Sequence, residues 1–242
     1  MVAGRSLGSV GIGSGRPALV RRLSRAATLG YVLGTLPSAG TVARVVSRGR
    51  VDLRRSGSGN PGAMNAIRLL GPKAGYIVMA ADIGKGALAS TVGRAVAGPI
   101  GAHVGGTAAV VGHCFPVWNG FKGGKGVAAS VGQCLATFPA YAPIDLGVAA
   151  VTAAVPWWKQ RAYAATAVAS LAWVAGGFVW WRKRLPNLWG PRPSAALPLA
   201  SAVSSAVILY KFASAKAPSR ATSTTPAATA TVLTDDDRTP VG

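Results

Sequence analysis

Glutamate is absent from this 242-residue chain, and its only acids are six aspartates: Asp52, Asp82, Asp145 and the run Asp235 to Asp237. Charged residues of both signs make up 13% of the sequence, against about 25% in soluble domains. So few charges cannot cover the surface of a soluble fold of this length, which excludes a soluble helical protein. Cysteine is nearly missing too. Cys114 and Cys134 fall in or beside apolar runs, giving no disulfide framework and no metal-ligand spacing, so neither a metal nor a cofactor is expected. The opening residues contain no apolar run of secretory-signal length. There is no H-x-x-x-x-D motif, no G-x-S-x-G elbow and no pair of acids near the polar loops, so a protein general base is not evident. No internal repeat of the kind that builds carriers is visible.

What remains is apolar and basic. Half of the residues are hydrophobic and the formal net charge is +20, with a mean hydropathy of +0.36. The basic residues are split into short segments between apolar runs, with no single basic domain, which argues against nucleic acid as a partner. Membrane lipids with anionic head groups and small anionic substrates fit that distribution better. The fold class read from this is all-α: a polytopic integral-membrane helical bundle of about seven transmembrane helices with two glycine-rich cytoplasmic loops.

The spans expected from length and hydropathy are 26–46 (kinked at Pro37), 74–97, 99–118, 127–138, 141–158, 163–181 and 193–210. Pro139 and Pro143 divide what would otherwise be one overlong run. Trp157, Trp158, Trp180, Trp181 and Trp189 are placed as interfacial anchors. Residues 1–25, with five arginines among Gly and Ser, are expected to form a disordered basic extension. Residues 26–213 form the transmembrane domain, and the Ser/Thr/Ala/Pro-rich 214–242 a disordered tail. Arg44 to Lys73 carries seven Lys or Arg, and the 119–126 loop carries two. Both loops are therefore put on the cytoplasmic side of the cell membrane.

Those two loops are where chemistry is expected. The first, R-S-G-S-G-N-P-G-A-M-N-A-I-R-L-L-G (Arg55 to Gly71), frees its backbone at Gly57 and Gly59 and adds Ser58, Asn60, Asn65 and Arg68. Were a helix to begin near Ala63, Asn65 and Arg68 would share a face, and helix amides with an Arg fork would clamp a phosphate. The bland alternative is a turn opening a helix, with Arg68 at the lipid head groups. The second loop, G-H-C-F-P-V-W-N-G-F-K-G-G-K-G (Gly112 to Gly126), sets Lys122 and Lys125 around Gly123 and Gly124, with Gly120 and Gly126 flanking. Its order is not that of a nucleotide P-loop; it reads as a generic anion cradle. His113 is a ligand, a base or a satisfied helix-end residue; His103, among small residues, ranks below it. Asp82 and Lys85, three apart within an apolar span, are expected to pair. The pair either braces the bundle or presents Lys85 to a phosphate. Positive charge without a base suits a reaction between two phosphorylated substrates, in which proximity does much of the work and a substrate phosphate takes the proton.

At these loops the chain resembles the bacterial integral-membrane glycerol-3-phosphate acyltransferases that use acyl-phosphate as donor. Their first motif is similar to G-S-G-N-x-G-A-T-N-x-x-R, matched by Gly57 to Arg68 with Met64 in place of Thr. Tyr31–Gly40 (Y-V-L-G-T-L-P-S-A-G), Val51–Arg54, Asp82-x-x-Lys85-Gly86 and Gly112–Ala128 also look like family segments. The resemblance implies seven helices with a cytoplasmic active site. It implies acyl transfer from acyl-phosphate to glycerol 3-phosphate, giving lysophosphatidic acid and phosphate for phospholipid synthesis. It puts the essential Ser and Arg on Ser58 and Arg68, and the glycerol-phosphate loop on Gly120 to Gly126, with Lys125 the best-placed cation. One departure stands out. The family's third motif, resembling Y-R-H-R-x-N-I-x-R-L-L-x-G-x-E, is replaced after Tyr210 by K-F-A-S-A-K (Lys211 to Lys216). The alternative reading is a non-catalytic membrane protein of the same fold that binds a phosphorylated lipid or metabolite.

Overall fold

A computed structural model of the chain describes residues 15–215. Eight α-helices and no strands are present among the described residues. They are α1 (Gly15–Gly34), α2 (Ser38–Val46), α3 (Ala63–Leu70), α4 (Pro72–Cys114), α5 (Val127–Thr137), α6 (Ala142–Ala154), α7 (Arg161–Lys183) and α8 (Ala196–Ala213), with a 3-10 turn at Val117–Asn119. Three segments, Pro72–Asn119, Arg161–Lys183 and Ala196–Ala213, are long and apolar enough to cross a membrane. α5 and α6, with 11 and 13 residues, reach only about 16–20 Å at 1.5 Å per residue.

Helix α4 is two antiparallel arms. Ala97 (φ −135°) and Gly98 (φ +68°) leave helical geometry just before Pro99, so the chain reverses there. A methyl group on Gly93 would strike the carbonyl oxygen of Gly101, and one on Gly105 that of Ala89. The 72–96 arm therefore lies directly against the 99–114 arm. Helix α1 packs along the second arm in the same way, Gly30 on Gly105 and Gly34 on Ala109, while α5 packs Gly132 on Ile83. Small residues at each crossing let backbones approach where lipid offers no hydrophobic drive to association. Large apolar side chains such as Leu171, Val151, Leu199 and Val203 point outward. Inside, Thr107, Gln133 and Ser204 join the second arm of α4, α5 and α8 by hydrogen bonds of 2.8–3.4 Å, satisfying polar groups that lipid would leave unpaired.

Two expectations about the first span are corrected. Helix α1 starts at Gly15, inside the segment expected to be disordered, because its arginines alternate with Ala and Leu, all good helix formers. The rest of that expected extension and nearly all of the tail lie outside the described residues. Pro37 also does more than kink the span. Its ring disfavours helical geometry at Leu36; α1 ends at Gly34, and α2 starts afresh at Ser38. The break leaves the Leu36 carbonyl without a helical partner, and it becomes part of the site described next.

At the opposite end of the bundle, Arg94 Nη1 donates to Trp189 O (2.9 Å), Trp189 Nε1 to Leu135 O (3.0 Å) and Asn187 Nδ2 to Thr137 O (3.0 Å). The loop after α7 is thereby tied to the end where α4 reverses, away from both glycine-rich loops.

Candidate active site

The α1–α2 break, the middle of the first α4 arm and the end of the second arm meet at one buried cluster. Lys85 Nζ lies 2.9 Å from Asp82 Oδ1 and donates to Leu36 O at 3.3 Å and Ser38 Oγ at 3.4 Å. Ser38 Oγ donates to Asp82 Oδ1. Lys85 thus becomes the second donor to the Leu36 carbonyl, beside Ser38 N–H at 2.9 Å, and a single carboxylate neutralises its charge. His113 Nδ1 sits 3.6 Å from the same Asp82 oxygen, beyond hydrogen-bonding range, and has no protein partner.

Above the cluster opens a cavity of about 150 Å³. Its walls are Leu36, Pro37, Ser38 and Gly40 from the break and α2; Arg54 and Pro61 from the first loop; Lys85 and His113 from α4; and Pro116, Trp118, Asn119, Lys122, Gly123 and Gly124 from the second loop. Drug-sized ligands occupy about 300–1,000 Å³, so this space suits a small molecule. With Lys85 matched by Asp82, the uncompensated charges at its rim are Arg54 and Lys122, both exposed. A small dianion is the ligand class that such a rim attracts.

Of the residues singled out from sequence, the cavity brings together Lys85, His113, Lys122, Gly123 and Gly124. The glycines fill a different role from the one expected. Gly123 N–H donates to Cys114 O (3.1 Å) and Gly124 N–H to His113 O (3.2 Å), so their amides close the end of α4 and are not free for a phosphate. Their lack of a side chain is what counts: a Cβ on Gly124 would press into the His113 ring. Gly126 (φ +88°) makes the left-handed turn into α5 and packs on Cys114, and exposed Gly120 (φ +56°) makes the preceding turn. Helix α5 starts with no side chain capping it, so its positive end adds to the attraction for anions there.

Asn65 also changes role. The helix does begin at Ala63, but Asn65 is buried and turned into the loop. Its Nδ2 donates to Leu53 O (2.9 Å) and Ser56 O (3.0 Å), and its Oδ1 accepts from Ser58 N–H (3.1 Å). It fastens the turn at Gly57 (φ +63°) and Gly59 (φ +67°), so the expected clamp shared with Arg68 is not formed. Replacing Asn65 with Ala strands Leu53 O and Ser58 N–H and leaves Ser56 O with Gly59 N–H alone; we expect a loss of about 2 kcal/mol, read as a lower unfolding temperature in detergent and faster proteolysis within 54–62. Ser58 and Arg68 are exposed and Asn60 is half-buried; none of the three lines the cavity. Lys125 is outside it as well, with Nζ 4.0 Å from the Phe212 ring centroid; burial lowers its pKa from the ordinary value.

Sequence reasoning missed Ser38 and Arg54 as members of the site. The signal for Ser38 was the L-P-S order at the end of the first apolar run, where a proline breaks the helix. Arg54 was marked only by V-D-L-R; its guanidinium lies over Gly40, where a Cβ would sit 3.6 Å from Nη2.

The family model described as glycerol-3-phosphate acyltransferase matches residues 25–217. A glycerol-3-phosphate acyltransferase of Jannaschia sp. (strain CCS1) is 41% identical over 150 residues, covering 62% of this chain and 72% of the relative. One from Bacillus velezensis is 49% identical over 116 residues, covering 48% of this chain and 57% of the relative, so that match spans little more than half of its length. The fold is similar to two crystal structures of PlsY (YgiH), an integral membrane glycerol 3-phosphate acyltransferase. Its lysophosphatidic acid form has a TM-score of 0.62 at 28% identity, covering 78% of this chain and 87% of PlsY. Its glycerol 3-phosphate form has the same score and identity, covering 79% and 88%. The chain, a helical membrane protein, belongs to the glycerol-3-phosphate acyltransferase family.

Proposed function

We propose that this chain moves a fatty acyl group from acyl-phosphate to glycerol 3-phosphate, releasing lysophosphatidic acid and phosphate as a step of phospholipid synthesis. The observation that carries the reading is the small cavity rimmed by Arg54 and Lys122 over the Lys85–Asp82 pair, in a chain whose family match covers residues 25–217. Glycerol 3-phosphate enters this cavity with its phosphate toward Arg54 and Lys122. The donor's phosphate lies toward Ser58, Arg68, Lys125 and the start of α5. A glycerol hydroxyl attacks the acyl carbon, the bond from that carbon to the phosphate oxygen breaks, and the hydroxyl proton leaves on the departing phosphate. Cations on both sides offset the repulsion of two anionic substrates and stabilise the oxygen that gains charge. Seven membrane-crossing segments, counting the two arms of α4 separately and leaving out α2 and α3, would place both glycine-rich loops at the cytoplasmic face. That assignment follows the excess of Lys and Arg at the loop end.

The test is an assay of purified protein in detergent with palmitoyl-phosphate and glycerol 3-phosphate. We expect product from wild type, and losses in kcat of about 100-fold or more for Ser58→Ala and for Arg68→Ala. The second reading, a member that binds a phosphorylated lipid without turnover, is favoured by Phe212 and Ala215 standing where the family motif has His and Asn. A folded wild type that forms no product would select it.

A further inference from the structure

The last turn of α8 and the second glycine-rich loop grip each other through two crossed cation–ring contacts. Lys125 of the loop lies over Phe212 of α8, 4.0 Å from the ring centroid. Lys211 of α8 lies over Phe115, at the end of α4, at 5.0 Å. The Phe212 ring is itself held: it packs on the cluster of Val110, Cys114, Ala129 and Ile208, and its centroid is 6.0 Å from that of Tyr163 on α7. Among the described residues Lys125 makes no ion pair with a carboxylate. The ring face is therefore what fixes its ammonium group. A lysine has four rotatable side-chain bonds, and fixing it in advance removes an ordering cost from the reaction it serves.

We infer that Phe212 is a positioning residue for Lys125, holding its ammonium at the start of α5 for the donor's phosphate. This rests on the acyl-transfer reading above. It also gives the altered end of α8 a purpose. Where the family pattern would place hydrogen-bonding side chains after Tyr210, this chain offers an aromatic face, which orients a neighbouring cation without contacting substrate itself.

The experiment uses the full chain in detergent, with palmitoyl-phosphate and glycerol 3-phosphate varied separately. Phe212→Leu and Phe212→Met keep an apolar side chain and remove the ring. Both are expected to lower kcat/KM for palmitoyl-phosphate about tenfold, the scale of a desolvated cation–ring contact, with KM for glycerol 3-phosphate within about twofold of wild type. Phe212→Tyr and Phe212→Trp retain a ring face and should stay within about threefold of wild type. Leu and Met variants as active as wild type would overturn the inference. So would Tyr and Trp variants as impaired as Leu, since bulk and packing would then be what matters. A parallel rise in KM for glycerol 3-phosphate would also overturn it, because that pattern marks collapse of the whole loop. An inactive wild type would instead remove the acyl-transfer reading, and the positioning role with it.

Discussion

Lys85→Met is expected to reduce acyl transfer by two orders of magnitude or more and to destabilise the protein by about 3–5 kcal/mol. The side chains of Lys85 and Asp82 are only 6% and 3% exposed, so removing the cation leaves a carboxylate in the bundle with Ser38 as its hydrogen-bond donor. The same substitution leaves Leu36 O, which Lys85 holds at 3.3 Å, with Ser38 N–H as its one remaining donor, and so loosens the bend that forms one wall of the cavity. Stability and function can be separated with the double variant Asp82→Asn/Lys85→Met. Removing both charges of a buried pair costs far less than stranding one, so most of the lost stability should return. Transfer should not, because the cavity floor still lacks its cation. Unfolding temperature in detergent and product formation, measured on the same preparations, check both halves. A double variant that regains full activity would reduce Lys85 to a brace.

The chain breakers made much of the fold legible. Gly98–Pro99 ended one apolar run and opened the next, and the structure turns there. Pro139 likewise falls in the gap between α5 and α6, and Pro143 sits in the first turn of α6. What the pattern could not carry was any outcome decided by a distant partner. Whether Pro37 kinks a helix or ends it depends on what receives the Leu36 carbonyl, and one of its two donors, Lys85, is 49 residues away. The start of α1 was obscured for another reason: hydropathy counts arginine as a reason to leave a helix, while backbone propensity counts it in favour.

The site divides along the same line. Lys85, His113, Lys122, Gly123 and Gly124 were legible because charges, a histidine and glycine pairs are conspicuous between apolar runs. Ser38 and Arg54 became site residues only when α2 folded back over the first loop. Direction was the other hidden quantity. Asn65 and Arg68 do sit three apart on a helix, yet one turns into the loop backbone and the other to the surface. Lys125, two residues beyond Gly123, turns away from the cavity to Phe212. Spacing told which residues sit near each other along a helix or loop, and tertiary packing decided what each one faces.

Gly124→Ala should raise KM for glycerol 3-phosphate about tenfold or more, equivalent to about 1.4 kcal/mol of binding, with little change in kcat. The added Cβ would lie 3.0 Å from His113 Cε1 and 3.2 Å from Cδ2, closer still to Nε2. A side chain can yield to such pressure, so the expected response is a shifted imidazole that narrows the cavity while the loop keeps its hydrogen bonds. Gly123→Ala is the contrasting case. Its Cβ would meet His113 O, with Pro116 Cδ at 2.6 Å and Cys114 O at 2.8 Å, and backbone cannot move aside so cheaply. That collision falls on the bonds from Gly123 N–H to Cys114 O and from Gly124 N–H to His113 O, so kcat, KM and unfolding temperature should all worsen together. Steady-state kinetics and thermal unfolding of the two variants side by side distinguish a crowded pocket from a broken loop. If Gly124→Ala binds glycerol 3-phosphate as wild type does, the acceptor does not sit against this loop, and the rim of Arg54 and Lys122 must serve another anion.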